Sequence, residues 1–320
     1  MRRSLKIMAI FLVMLLLVSG CTNENLNTKD AEINISIIVK KKDHEFWAVV
    51  EMGAEAASKE FGVNIDFDGP LNEKDIDIQI GMVEEVINSD TDALVLAAGD
   101  FTKLVPVAEK VKALGIPVII IDSNIDSDRM NSFIGTDNVD AGKQLGHALI
   151  NEVGKKCKVV VMSFVKGAAT ANEREAGFLS TISAYPDIEV VDTVYCNSED
   201  KTAERLTKEL VRDHKDIDAF VCLNAYGTIG TARAIHEWRK DIKVIGFDSA
   251  PEEISYLEKG VIQTLVVQNP FSMGYLGVKH AVDALNGNPI PKVVKTESKM
   301  IDIDNMYLPE NQKLLFPFVD

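Results

Sequence analysis

The sequence predicts an α/β protein of two lobes, each a doubly wound parallel sheet with helices on both faces. From residue 33 onward, short β-branched runs alternate with longer amphipathic segments. The pattern also restarts near Thr136–Asn138, where a helical segment at Val139–Val153 opens a second set of units. The units are too many for one comfortable sheet. A single closed (β/α)₈ barrel remains the alternative, since the number of units alone does not exclude it.

Several of the predicted strands are apolar on both faces, as expected for strands buried in a parallel sheet. The runs are Ile35–Val39, Val63–Phe67, Ala93–Ala97, Val118–Ile121, Lys158–Met162, Val190–Val194, Ala219–Leu223, Lys243–Phe247 and Gln263–Val267. Helical repeats lie between them. The first repeat includes Trp47, Val50 and Ala54, and Gly62 follows it as a C-cap.

The N-terminus predicts export and a lipid anchor. A short basic stretch precedes the apolar run Ile7–Val18, which is too short to span a bilayer and is typical of a signal peptide. The run ends in Ser19, Gly20 and Cys21, which resembles a bacterial lipobox. We therefore expect a signal peptide at 1–20, lipidation of Cys21, and a polar tether at 21–32 that holds the protein on the outer face of the cell membrane.

Composition and motif spacing exclude several classes of function. A net charge of −15 argues against nucleic acid as a partner. The histidines show no metal-site spacing, and Ser127 and Phe133 stand where a calcium loop starting at Asp122 needs Gly and Glu. No catalytic serine or phosphate-loop motif is present. We expect no cofactor, no metal and no enzymatic activity.

Polar side chains follow several predicted strands directly, and ligands of open α/β sheets bind beyond the carboxyl ends of the strands. The segment after the first strand includes Asp43 and His44 with the aromatic pair Phe46 and Trp47, and Asp122, Asn224, Asp248 and Gln268 each come one step after a later strand. Carboxylates and amides suit the hydroxyls of a sugar, and Phe46 with Trp47 offers flat faces for a sugar ring. Each residue alone could be a turn or a helix cap, but the whole set favours a binding cleft.

These residues make the chain similar to a known family. It resembles the type I periplasmic-binding-protein superfamily, in particular its ribose-type sugar-binding proteins, which share their core with lactose-repressor regulators. The blocks that carry the resemblance are Asp43–Trp47, Gly115–Val118 with Ile121-Asp122, Ile134–Asn138, Asn172–Phe178, Cys222–Asn224, Val244–Asp248 and Val267–Pro270.

The resemblance implies two lobes joined by a three-segment hinge, with crossings near Thr136–Asn138, Gln268–Pro270 and Lys295–Lys299. The first lobe would comprise 33–136 plus 269–297, and the second 137–268 plus 298–320. It also implies a ligand between the lobes. Its expected contacts are Asp43, His44, Phe46, Trp47, Asp122, Arg174, Asn224, Asp248 and Gln268.

Two departures from the ribose-type pattern bear on the ligand. Ser123 stands where an Arg is typical, and Ala97-Ala98-Gly99 where an Asn is often found. The first lobe is thus expected to be less basic and less polar, and a neutral sugar or polyol other than ribose is favoured over a sugar acid.

The resemblance implies ligand capture for an ABC importer by a protein expected to be a monomer. The alternative is a receptor that presents its closed form to a membrane sensor kinase. A transcriptional regulator is a third possibility, but the chain has a lipobox and lacks a helix-turn-helix segment.

Overall fold

A computed structural model describes residues 32–238 and 241–316 of the chain. The predicted signal peptide, the lipidation site Cys21 and the tether up to residue 31 lie outside these residues. Within the two described ranges, no helix is both long and apolar enough to cross a bilayer.

The described residues form twelve strands and ten helices that alternate along most of the chain. The strands are β1 Asn34–Ile38, β2 Asn64–Asp68, β3 Ala93–Leu96, β4 Val118–Ile121, β5 Ser132–Thr136, β6 Cys157–Ser163, β7 Ile188–Tyr195, β8 Ala219–Cys222, β9 Lys243–Phe247, β10 Thr264–Val267, β11 Val293–Thr296 and β12 Lys299–Asp302. The helices are α1 Glu45–Phe61, α2 Ile76–Val86, α3 Val105–Ala113, α4 Asn138–Val153, α5 Ala169–Ile182, α6 Asp200–Asp213, α7 Ala225–Trp238, α8 Pro251–Glu258, α9 Pro270–Leu285 and α10 Pro309–Leu315.

The strands form two open six-stranded sheets, so the predicted fold class is confirmed and the closed barrel is excluded. The first sheet has the order β11-β5-β4-β3-β1-β2 and the second β12-β10-β9-β8-β6-β7. Apart from the sixth strand, both follow the same doubly wound order, which brings the carboxyl ends of their parallel strands to one edge. We call the first sheet with its helices the first lobe, and the second sheet with its helices the second lobe.

The core of each lobe comes from the β-branched strands and the apolar faces of the helices. In the first lobe, one cluster lies between the sheet and helices α1 and α9, and another lies under α2 and α3. In the second lobe, a single large cluster includes strands β6–β10 and residues of α4–α8 and α10. As predicted, Gly62 is the C-cap of α1, and its φ of 65° is in the left-handed region that favours glycine.

The sixth strands differ between the lobes. β11 pairs with β5 in the parallel direction, whereas β12 pairs with β10 in the antiparallel direction. Only residues 297–298 separate β11 from β12, so the chain passes directly from one sheet to the other. Two further passages occur between β5 and α4 and between β10 and α9. The residue limits of each lobe, 33–136 plus 269–297 and 137–268 plus 298–320, stay a prediction.

The sequence did not predict β5, β11 and β12 as strands. β5 contains Ser and Gly, and the two sixth strands are partly exposed edge strands without a continuous apolar run. All three cysteines of the described residues, Cys157, Cys196 and Cys222, are buried and unpaired.

Candidate functional site

A polar cavity lies between the two lobes, beyond the carboxyl ends of both sheets. The space between its walls is about 400 Å³ when the part open to solvent is counted. The residues that line it are Lys40, His44, Phe46, Trp47, Glu73, Asp122, Phe164, Thr170, Arg174, Asn224, Ala225, Tyr226, Asp248 and Gln268. Residues before Thr136 belong to the first lobe, and the others follow strands of the second lobe.

One aspartate from each lobe occupies an equivalent position in this cavity. Asp122 follows β4 and has a φ of 58°, and Asp248 follows β9 and has a φ of 83°. The backbone N–H of each donates to a carbonyl of the adjacent strand, that of Ile134 at 2.9 Å and that of Val266 at 3.0 Å. Left-handed backbone is costly for most residues but tolerated by Asp and Asn, so the same device turns both carboxylates into the cleft.

In the first lobe, a buried lysine pairs with Asp122. The Lys40 Nζ lies 2.7 Å from Asp122 Oδ2, and both side chains are buried. The Ser123 hydroxyl donates to the same oxygen at 3.3 Å. A cation thus reaches Asp122 from the end of β1, while position 123 supplies a hydroxyl; that the first lobe is less basic than the ribose-type pattern stays a prediction.

The start of α1 supplies the aromatic part of the wall. His44 is the N-cap, and its Nδ1 accepts a hydrogen bond from the Phe46 N–H at 3.3 Å. Phe46 and Trp47 meet edge to face with ring centroids 4.9 Å apart. Trp47 is buried in the core, so its position is fixed by packing, whereas Phe46 is half-buried.

Arg174, on α5, is the buried cation of the second lobe. Its Nε donates to Asn138 Oδ1 at 2.9 Å and its Nη1 to the Leu223 carbonyl at 2.8 Å. The guanidinium lies 3.7 Å from the centroid of the Phe247 ring. Burial lowers the pKa of Arg174, an effect opposed by the charge of Asp248. Close packing against α4 also fixes the position of α5. A Cβ on Gly142 of α4 would lie 2.1 Å from the Arg174 carbonyl oxygen of α5.

Asp248 and Gln268 form a hydrogen-bonded pair at the hinge. Gln268 Nε2 donates to Asp248 Oδ1 at 2.7 Å, and Gln268 Oε1 accepts from the hydroxyl of Thr136, at the end of β5, at 2.7 Å. The Ala225 N–H at the start of α7 donates to the other Asp248 oxygen at 3.1 Å. Burial raises the pKa of Asp248, and the charge of Arg174 opposes this.

The lobes touch across the mouth of the cavity, so the cleft is closed. The rings of His44 and Tyr226 have centroids 4.4 Å apart, and Lys41 Nζ lies 4.4 Å from the Tyr226 centroid. The Ser198 hydroxyl donates to Glu73. Burial lowers the pKa of His44 to about 4, and nearby Lys41 adds to this, so the ring is neutral at neutral pH.

One buried hydroxyl at the cavity has no hydrogen-bond partner among the described residues, that of Tyr226. The two buried cations differ, since Lys40 pairs with Asp122 and Arg174 donates to Asn138 and to the Leu223 carbonyl. Buried polar groups in native proteins are nearly always satisfied, so the Tyr226 hydroxyl is available to a molecule in the cavity.

The structure brings together eight of the nine residues expected to contact a ligand: His44, Phe46, Trp47, Asp122, Arg174, Asn224, Asp248 and Gln268. Asp43 does not line the cavity; it is exposed, with a φ of 60°. Sequence reasoning missed Lys40, Glu73, Phe164, Thr170 and Tyr226. Lys40 and Tyr226 each closely follow a strand, the same signal that identified Asp122, but no local pattern shows that their side chains turn toward the cleft. Across both described ranges, no group of three or more metal-ligating side chains is positioned to hold a metal ion.

Comparison with known proteins agrees with this architecture. The ribose import binding protein of Bacillus subtilis is 26% identical over 269 residues, which cover 84% of this chain and 87% of that protein. A carbohydrate transporter solute-binding protein from Agrobacterium radiobacter, solved in complex with D-arabinose, superposes with a TM-score of 0.86 at 31% identity and covers 89% of this chain and 99% of that one.

An ABC transporter solute-binding protein from Agrobacterium vitis, solved with bound D-fucose, gives the same TM-score of 0.86 at 33% identity, with 88% of this chain and 99% of that chain covered. Residues 35–289 match the family described as the periplasmic binding protein domain. The chain is therefore a member of the periplasmic binding protein domain family.

Proposed function

We propose that this protein captures a small neutral sugar or polyol between its two lobes and presents it to an ABC-type importer. The observation that carries the proposal is the closed polar cavity, whose walls combine one buried carboxylate and one buried cation from each lobe with the aromatic pair of α1. The similar proteins support the same ligand class, since one is a ribose import binding protein and two were solved with D-arabinose and D-fucose.

The charges of the cavity support a neutral ligand. Lys40 and Arg174 are balanced by Asp122 and Asp248, and Glu73 adds a further carboxylate, which accepts the Ser198 hydroxyl. A sugar acid would add another negative charge to a site that already has more carboxylates than cations. Neutral hydroxyls can instead donate to the carboxylates and accept from the cations and from the Tyr226 hydroxyl.

Each side chain has a role that its geometry supports. Phe46 and Trp47 pack against the C–H face of the ring, while Asp122 with Lys40 holds hydroxyls from the first lobe. Asp248 and Arg174 hold hydroxyls from the second lobe. The further members of the proposed ligand shell are His44, Asn224, Gln268 and, as additions from the structure, Lys40, Glu73 and Tyr226.

The test is a thermal-shift screen followed by calorimetry, with D-ribose, D-arabinose, D-fucose, hexoses, inositols, sugar acids and nucleosides as ligands. A tight ligand raises the melting temperature by mass action. Asp248→Asn should abolish the shift, whereas Asp43→Asn should keep it. The two variants are matched, because both positions have left-handed backbone that Asn tolerates and only one lines the cavity. A shift with nucleosides and none with sugars or polyols would overturn the assignment.

The membrane anchor is part of this proposal. The supporting observation is the sequence Ser19-Gly20-Cys21 at the end of an apolar run. A diacylated Cys21 would hold the binding lobes outside the cell, next to the importer. Metabolic labelling with a fatty-acid probe should mark the wild type and not Cys21→Ser. Equal labelling of both proteins would contradict the anchor.

An uptake measurement distinguishes import from the alternative role in a membrane sensor-kinase system. The similar proteins do not favour that alternative. Deleting the gene should lower uptake of the radiolabelled ligand, and wild type should restore it where Asp248→Asn does not. Undiminished uptake in the deleted strain would contradict the import role.

A further inference from the structure

A second cavity adjoins the polar one and has a different chemical character. The space between its walls is about 490 Å³ when the part open to solvent is counted. The two cavities share the lining residues His44, Phe46, Ala225, Asp248 and Gln268. Asp248 and Gln268 are hydrogen-bonded to each other and border both cavities. A ligand held by this pair in the polar cavity would therefore direct a neighbouring substituent into the second cavity.

The walls that belong only to the second cavity are mostly apolar. Six residues of these walls are apolar, Val49, Ala250, Pro251, Pro270, Leu314 and Leu315, and the other two are Glu45 and Ser249. Val49 is buried on α1, and Leu315 is 2% exposed at the end of α10. An alkyl or aryl group placed against these apolar residues would gain from burial.

Both lobes contribute to these walls. Val49 comes from the first lobe, while Ala250 and Pro251 follow β9 of the second lobe. The two leucines lie beyond residue 289, where the match to the family ends. The second cavity is therefore complete only when the lobes are closed, and part of it comes from the portion of the chain outside the family match.

We propose that this second cavity is a subsite for an apolar substituent of the ligand, so that the protein prefers a glycoside with a small alkyl or aryl group to the free sugar. The inference rests on the proposed function, since it assumes that the sugar ring occupies the polar cavity. It adds the chemistry of the group attached to that ring. Because the subsite spans both lobes, the substituent also stabilises the closed form.

The experiment is calorimetry of the purified protein with D-ribose, D-arabinose and D-fucose, each as the free sugar and as both anomers of its methyl, n-propyl and phenyl glycosides. A buried methylene is worth roughly a factor of four in affinity. We expect the n-propyl or phenyl glycoside of one anomer to bind at least about tenfold more tightly than its free sugar. The methyl glycoside should lie between them.

Variants locate the gain. Leu314→Gln places a polar amide in the apolar wall and should bring the ratio of glycoside to free-sugar affinity close to one. The matched control is Leu114→Gln, at an exposed leucine that lines neither cavity and should keep the ratio. Val49→Ala provides a second variant if Leu314→Gln does not fold, and it should reduce the ratio severalfold.

The outcomes separate this inference from the proposed function. If free sugars bind and every glycoside binds equally or more weakly, the subsite is excluded and the proposed function stands. A gain that persists unchanged in Leu314→Gln and Val49→Ala places the substituent elsewhere and also overturns the subsite. If no free sugar, polyol or glycoside binds, both proposals fail.

Discussion

The two lobes have the same strand order but contribute different chemistry to the cleft. Each presents an aspartate on left-handed backbone, Asp122 or Asp248, at the same edge of its sheet. Around Asp122 the first lobe places a single lysine and the aromatic start of α1. Around Asp248 the second lobe places the Gln268 amide, the N-terminus of α7 and Arg174, which makes two hydrogen bonds of its own. The topology thus fixes where a ligand is contacted, and the side chains at each strand end decide how.

The difference also appears at the ends of the third strand of each lobe. β3 is followed by Ala97 and Ala98, whereas β8 is followed by Leu223 and Asn224. We infer that the second lobe supplies most of the directional hydrogen bonds and the first lobe supplies apolar contact and one ion pair. The following experiments compare the two contributions.

Arg174→Met should have the largest effect. It leaves Asn138 Oδ1 and the Leu223 carbonyl without a donor and removes the charge that opposes desolvation of Asp248. We expect loss of sugar binding and a decrease of about 4 kcal/mol in the free energy of unfolding. Urea unfolding and calorimetry measure the two quantities.

The matched variant in the first lobe is Lys40→Met. Lys40 pairs with Asp122, which keeps the Ser123 hydroxyl in the variant, so the expected loss of stability is smaller, about 3 kcal/mol. A larger loss for Lys40→Met than for Arg174→Met would contradict the view that the second lobe holds its cation more firmly.

His44 tests the contact between the lobes through pH. Burial lowers its pKa from 6.5 to about 4, so between these values the unfolded chain binds more protons than the folded one. The stability contributed by neutral His44 is therefore complete above about pH 6.5 and lost as the pH falls toward 4, by at most about 3 kcal/mol.

His44→Asn keeps an N-cap residue and removes this titration. The melting temperature of the variant should fall less than that of wild type between pH 7 and pH 4.5. His280, whose pKa burial also lowers, is present in both proteins and cancels in the difference. Parallel pH profiles for the two proteins would show that His44 is not the titrating group.

Thr136→Val tests the bond that joins the lobes at the hinge. The variant removes the hydroxyl that donates to Gln268, and we expect a loss of about 1 kcal/mol in unfolding free energy together with weaker sugar binding. Thr296 is its neighbour across β5 and β11, and among the described residues its buried hydroxyl has no hydrogen-bond partner. Thr296→Val should consequently be neutral or stabilising. Equal destabilisation by both variants would show that the Thr136 bond has no special value.

The smallest effect is expected at the rim of the cleft. Lys74 Nζ lies 2.9 Å from Glu199 Oε1 of the other lobe, and both side chains are exposed. Lys74→Ala should weaken sugar binding by less than about threefold, and the difference from wild type should vanish in high salt. Lys59→Ala, which breaks a pair with Glu55 within α1, is the control and should not change affinity. A change of tenfold or more for Lys74→Ala would assign closure to this ion pair.

Much of the fold followed from sequence because its signals are local. Buried parallel strands are continuous apolar runs, and caps such as Gly62 mark helix ends. β11 and β12 escaped prediction because an edge strand needs apolar residues on only part of its surface. β11 is parallel to its neighbour β5, whereas β12 is antiparallel to its neighbour β10. This difference arises because the chain passes directly from one sheet to the other, which no local sequence pattern encodes.

The candidate site was predictable where a polar residue directly follows a buried strand, as with Asp122 and Asp248. Lys40 escaped because it is the first of three consecutive lysines, and only the structure shows which one turns inward. Asp43 was included for the converse reason, since position in a motif does not show that its side chain is exposed. Tyr226 reaches the site from across the closed cleft, a contact that depends on the relative placement of both lobes.

Because the native cysteines are buried, a fluorescent dye on a single added cysteine can report how the cleft opens and closes. Thiols react as thiolates, and burial raises the pKa of Cys196 to about 11 and also raises those of Cys157 and Cys222. In the folded protein, these three residues should therefore not react with a maleimide dye. A single Lys74→Cys change would then give one reactive thiol among the described residues, at the rim where the lobes meet. A dye at that position would turn opening and closing of the cleft into a fluorescence signal, with none of the native cysteines removed.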